Sequence, residues 1–90
     1  MKIEFDPDKR LKILHERGID IADAGAVFNG DYVEILDDRK DYGEVRYRVW
    51  GFLGVMRISL VWTPRGDRRR IITMRRAHEY EHEARRKAVD

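Results

Sequence analysis

Apolar residues recur every three or four positions over the first third of the chain and every second position through the middle, so a helical part precedes a strand-forming part. KIEF, residues 2 to 5, forms a short first strand. Asp6 and Pro7 follow as a helix start, with Asp6 as N-cap and Pro7 at the first helical position, where its missing N–H costs nothing. That helix runs to Gly18, the left-handed residue that commonly ends one, with Leu11 and Leu14 on one face and Ile13 beside it. Asp20 caps a second, shorter helix in which Ile21, Ala24, Val27 and Phe28 keep the helical spacing until Asn29-Gly30 breaks it.

From there the period is two. YVEIL (32 to 36) is a strand and DDRKDYG (37 to 43) an acidic loop. EVRYRVWGF (44 to 52) alternates, with Val45, Tyr47 and Val49 on one face and Glu44, Arg46, Arg48 and Trp50 on the other. Leu53-Gly54 turns the chain into VMRISLVW (55 to 62), apolar enough for a central strand covered on both faces. TPRGDRR is a turn by composition, RIITM (70 to 74) the last strand, and a helix follows from about Arg75 to Ala88. In that helix Ala77, Tyr80, Ala84 and Ala88 form a narrow inward stripe, and His78, His82 and Arg85 form a polar flank. The order of a strand, two helices, an antiparallel meander and a terminal helix is an α+β architecture. One sheet face is covered by helices, and the other is open to water or a ligand.

Composition narrows the function. Ninety residues make one domain, spanning 1–90, and exclude a second catalytic domain. Hydrophobic residues are 42% and charged residues 40%, which gives a thin core in a highly charged shell. Without cysteine there is neither a disulfide framework nor a thiolate metal site, and a reducing cytoplasm is the expected compartment. No apolar stretch is long enough for a signal sequence or a membrane span. The net charge of +2 conceals a polarity: residues 1 to 45 carry seven Lys/Arg against twelve Asp/Glu, and residues 46 to 90 twelve against five. A basic half of this density fits a polyanion, and RNA is the expected partner.

Two constellations could carry chemistry. His78, Glu79 and His82 spell H-E-x-x-H, the spacing by which two imidazoles on one helix face ligate zinc. No third ligand follows, the only other histidine is His15, and five neighbouring Arg and Lys oppose a divalent cation, so neither metal nor cofactor is expected. The second constellation is Glu44, Arg46 and Arg48 on one strand face, joined by Arg75 and Arg76 at a strand-to-helix junction that favours anions. Cleavage of RNA by its own 2′-hydroxyl needs a base and positive charge for the pentavalent phosphorane. Arginine is excluded as base by a pKa above about 12. Arg46, Arg75 or Arg76 can stabilise charge, and Glu44, or His78 if it reaches inward, can take the proton. The alternatives are a cross-strand ladder of ion pairs, and a non-catalytic RNA-binding or protein-interaction module using the same basic face.

IEFDPDK at the start, RG closing the first helix, GEVRY in the middle and RIITMRRAHEYE at the end stand in the same order and at similar spacing as in the BrnT family of type II toxins, which the chain resembles over nearly its whole length. The resemblance implies a RelE-like α+β fold and a ribonuclease that arrests translation. It also implies neutralisation by a BrnA-type antitoxin, with operator DNA bound only through the antitoxin complex. Asp6, Pro7 and Lys9 match the opening motif, Glu44, Arg46 and Tyr47 the central one, and Arg70, Arg75, Arg76, Ala77 and Glu81 the last. The charge argument and the resemblance together give Glu44, Arg46, Arg75 and Arg76 as the expected catalytic set, with Lys9, Arg48, Arg70 and His78 expected to bind substrate. Where the family often has Asn in the first helix and His before its closing Gly, this chain has Ile13 and Arg17.

Overall fold

The computed structural model describes residues 1–89, with side chains through Lys87; Asp90 and the side chain of Ala88, the last member of the expected inward stripe, lie outside the described residues. The chain begins with β1 (Lys2–Glu4) and α1 (Pro7–Arg17). Asp6 caps α1 by accepting the Asp8 N–H at 2.9 Å, and Gly18, at φ 67°, ends it by donating to the Leu14 carbonyl. The expected second helix divides into a 3₁₀ turn at Ile21–Asp23, capped by Asp20, and α2 (Ala24–Phe28). Arg10 clamps both oxygens of Asp20 at 2.8 Å and ties α1 to this turn.

The remaining elements are β2 (Val33–Leu36), β3 (Tyr47–Leu53), β4 (Met56–Arg65), β5 (Arg68–Arg76) and α3 (Glu79–Val89). They form one five-stranded sheet in the order β1-β5-β4-β3-β2, with β1 parallel to β5 and the other pairs antiparallel. The fold is therefore α+β. Its core lies on one sheet face, where Val49, Leu60 and Met74 make one cross-strand row and Tyr47, Trp62 and Ile71 the next. Ile13, Ile19, Ile21, Ala24 and Val27 close over them from the helical side. The β4–β5 register shifts at Val61/Trp62, leaving Ile72 unpaired, so Ile71 and Met74 both point inward although they are three residues apart. Gly51 lets α2 approach the sheet: a Cβ there would stand 2.7 Å from Val27 Cγ1.

The strands depart from the sequence expectation at their ends. β3 begins at Tyr47, so Glu44 and Arg46 precede it instead of alternating along it. The segment expected as a turn, TPRGDRR, shrinks to Gly66-Asp67, because β4 and β5 stay paired out to Arg65 and Arg68 with their charged side chains in solvent. β5 also continues through Arg75 and Arg76, which sit on a strand and not at a helix N-terminus.

The inward face of α3 is the larger correction. Tyr80 is 75% exposed and Ala84 is exposed, whereas His82 is 1% exposed. His82 Nε2 lies 2.9 Å from the Gly51 carbonyl, so it carries the proton and donates, and its ring packs edge-on against Phe52. Glu81, Arg85 and Arg86 also face the sheet, with the two guanidiniums over Trp50 and Phe52 at 4.9 and 5.6 Å. A polar helix face docks because the sheet offers aromatic rings and a carbonyl there, groups that favour cations and donors. No helix among the described residues is long and apolar enough to cross a membrane.

Candidate active site

The sheet face opposite the core is covered by α3 at one end only. Arg48, Val61 and Thr73 form one cross-strand row on it, and Trp50, Ser59 and Arg75 form the next. With Arg39 from the preceding loop, Arg48, Ser59, Val61, Thr73 and Arg75 line a shallow depression. Its charges are held in fixed places. Arg39 makes a two-pronged pair with the buried Asp37, 2.8 Å to each oxygen, and this holds the Asp37 carboxyl down at about 2 against the opposing effect of burial. Arg75 pairs with Glu81 at 2.7 and 3.3 Å. Glu81 also accepts Trp50 Nε1–H at 3.1 Å and the His78 backbone N–H, and its carboxyl is held at about 2, chiefly by Arg75. Arg48 lies over the Trp50 ring at 4.7 Å, and burial, then the charges of Arg39 and Arg85, bring it below the ordinary arginine value.

Glu44 and Arg46 stand at one end of this strip. Arg46 Nε donates to Glu44 Oε2 at 2.9 Å and Arg65 approaches Oε1 at 3.2 Å; hydrogen bonding from Arg46 is the first cause that keeps the Glu44 carboxyl below its usual range. The Arg46 guanidinium stacks 4.2 Å from the Tyr42 ring centroid. Arg46 stands four positions before Trp50, the β3 member of the Arg75 row, roughly 13 Å along the strand at about 3.3 Å per residue. The expected unit of Glu44 with three arginines is thus a strip with a cluster at each end and Arg48 between them.

Arg70 lies on the same face beside Thr63 and pairs with Glu4 at 3.4 Å. Lys9, in the first turn of α1, is half-buried; burial, then the charges of Arg46 and Arg17, lower its proton affinity below the ordinary lysine value, so it shares a field with the strip. Arg76 pairs with Ile58 in the ladder and projects from the core-side face, so it does not join Arg75. His78 is exposed, its ring stacked on Tyr80 at 5.6 Å and absent from the lining of the depression. With His78 outside and His82 bonded to Gly51, the two histidines of HEYEH do not converge, and no group of three or more metal-ligating side chains occurs among the described residues.

Arg17, Arg39, Ser59 and Thr73 were not among the expected site residues. Ser59 and Thr73 were within reach of the period of two, since Ser59 follows Arg57 and Thr73 precedes Arg75 by two positions. Arg17 and Arg39 carry no local signal, because tertiary contacts bring them in. A family model described as ribonuclease toxin, BrnT, of type II toxin-antitoxin system matches residues 5–81. No curated protein sequence matches the chain.

Proposed function

Since the chain belongs to the BrnT family of type II toxin-antitoxin ribonuclease toxins, we propose that it cleaves RNA on the open sheet face without a metal ion, and that its β1-helices-meander order is a RelE-like arrangement. The row of arginines, each oriented by a carboxylate or an aromatic ring, carries this reading: oriented cations suit a phosphorane, which develops charge only in the transition state. The 2′-oxygen attacks phosphorus and the bond to the 5′-oxygen breaks, leaving a cyclic phosphate and a 5′-hydroxyl. Arg48 and Arg75 stabilise the phosphorane, while Arg46 and Arg70 hold flanking backbone. Water protonates the leaving oxygen.

Glu44 is the weaker candidate for the base, because two guanidiniums hold its carboxylate ionised at the expense of basicity. In this reading it orients Arg46. Lys9, in the first turn of α1, has its proton affinity lowered by burial and by the charges of Arg46 and Arg17, and in this reading it is the better candidate to take the proton of the 2′-hydroxyl. A lysine base acts when neutral, so cleavage of a labelled RNA should rise with pH up to a pKa below the ordinary 10.5. Lys9→Arg keeps the charge but cannot release a proton, and should lower the rate and flatten that rise. A wild-type profile in Lys9→Arg returns the proton to Glu44. Induction should arrest growth through translation, and EDTA should leave cleavage unchanged; cleavage that requires added divalent metal would overturn the mechanism.

Membership of a type II family makes an antitoxin protein the partner. We propose that it is BrnA-type, meets the toxin in the cytoplasm, covers the basic strip, and alone carries the complex to operator DNA. It should bring acidic groups, since arginines buried without partners cost several kcal/mol. In the complex Arg48 and Arg75 are expected to lose their solvent exposure. A structure that leaves both exposed would rule out occlusion as the means of inhibition.

A further inference from the structure

The arginines of the strip fall into two groups. Arg39, Arg46, Arg70 and Arg75 each have a carboxylate within 4 Å, from Asp37, Glu44, Glu4 and Glu81. Arg48 and Arg17 have no such partner among the described residues, and they hold their places through other contacts. Arg17 ends α1 just before the left-handed Gly18, which fixes where its side chain leaves the helix. Its Nη1 donates to Thr73 Oγ1 at 3.1 Å and to the Met74 carbonyl at 2.9 Å. Both acceptors are neutral, so no carboxylate offsets the charge of the guanidinium, and Nε and Nη2 make no hydrogen bond within the described residues. Thr73 lines the depression, two strands across from Arg48. Arg48 thus lines the depression from β3, and Arg17, outside that lining, reaches Thr73 on its β5 side.

An arginine already bonded to a carboxylate must share or release that partner to accept a phosphate. One anchored on neutral oxygens exchanges only water, and its planar fork suits two phosphate oxygens. Because Thr73 Oγ1 accepts from Arg17, its own O–H is left to donate toward the same anion.

We infer that Arg17, positioned by Thr73, is a phosphate-binding residue that seats an RNA backbone phosphate against the β5 side of the depression. The inference rests on the reading of this face as an RNA site. The test is binding of a single-stranded 2′-O-methyl oligonucleotide, which lacks the attacking hydroxyl, measured across a series of salt concentrations. Each neutralised phosphate contributes about 0.7 to the slope of log K against log salt. Arg17→Ala should reduce that slope by about 0.7 and weaken binding about tenfold at low salt, the loss of one charged contact. Thr73→Val keeps the shape and the charge, so it should leave the slope near wild type and still weaken binding. Lys87→Ala, on the exposed outer side of α3, should change neither quantity. If wild type binds with a steep salt dependence and Arg17→Ala matches it, the inference fails alone. Wild-type affinity in Thr73→Val removes the positioning role. A wild type that binds no RNA at all overturns the RNA reading and this inference with it.

Discussion

Alanine in place of Arg75 is expected to lower RNA cleavage by about 10²-fold or more while weakening RNA binding far less, because preorganised donors aimed at developing charge have effects of that size. The orientation comes from three elements at once. Glu81 on α3 holds two guanidinium nitrogens of Arg75, Trp50 Nε1 on β3 holds Glu81, and the β5 ladder holds the Arg75 backbone. Lysine at this position should rescue only in part, since it keeps the charge and loses the fork. Glu81→Gln should also depress the rate, since it removes the charge that fixes Arg75. Arg76→Ala, one residue on but facing the other side of the sheet, should stay within a few-fold of wild type. The measurement is single-turnover cleavage of a labelled RNA together with its binding constant. Full activity in Arg75→Ala would leave the face as a binding surface with the chemistry elsewhere.

The largest expected effect on stability is at Trp50. Its side chain is fully buried, its ring lies between Arg48 and Arg85 at 4.7 and 4.9 Å, and its N–H is satisfied by Glu81. Trp50→Ala should destabilise the protein by about 3–5 kcal/mol, as truncation of a buried aromatic does when the surroundings collapse only in part. Trp50→Phe should cost less in stability and still impair cleavage, since the packing largely stays while Glu81 loses a donor that orients it. Denaturant unfolding of both variants separates the two effects. A Trp50→Ala loss below about 1 kcal/mol would mean that α3 closes over nothing of consequence.

Legibility in the sequence followed the range of the interactions concerned. The bounds of α1 are written in three residues, Asp6, Pro7 and Gly18, and all three act as local chemistry predicts. The alternation through Tyr47, Arg48, Val49 and Trp50 assigns both faces of β3 correctly. The failure at α3 has a physical origin. Counting apolar positions presumes that a helix docks by its hydrocarbon side, but Trp50, Phe52 and the Gly51 carbonyl select His82, Glu81 and Arg85, so Ala84 and Tyr80 were left outside. The ends of β4 and β5 were read short because Arg65 and Arg68 look like turn by composition and Arg75 and Arg76 were assigned to the following helix, whereas solvent-facing ladder positions accept charge freely. Glu44 and Arg46 were found together, but their distance from Arg75 depends on where β3 starts. Arg17 could not be found from sequence, because its link to Thr73 spans 56 residues.

The polar docking of α3 also gives the helix a stability of its own. Its contacts with the sheet are hydrogen bonds, ion pairs and cation–aromatic stacking around one buried histidine, without the apolar stripe that fastens α2. Such a segment is expected to open by local unfolding at a free energy below that of the whole domain, so its amides should exchange with solvent before those of β3, β4 and β5. Each opening takes Glu81 away from Arg75. The fraction of molecules with Arg75 held by Glu81 should therefore follow the closing equilibrium of one terminal helix, falling on warming before the sheet itself melts.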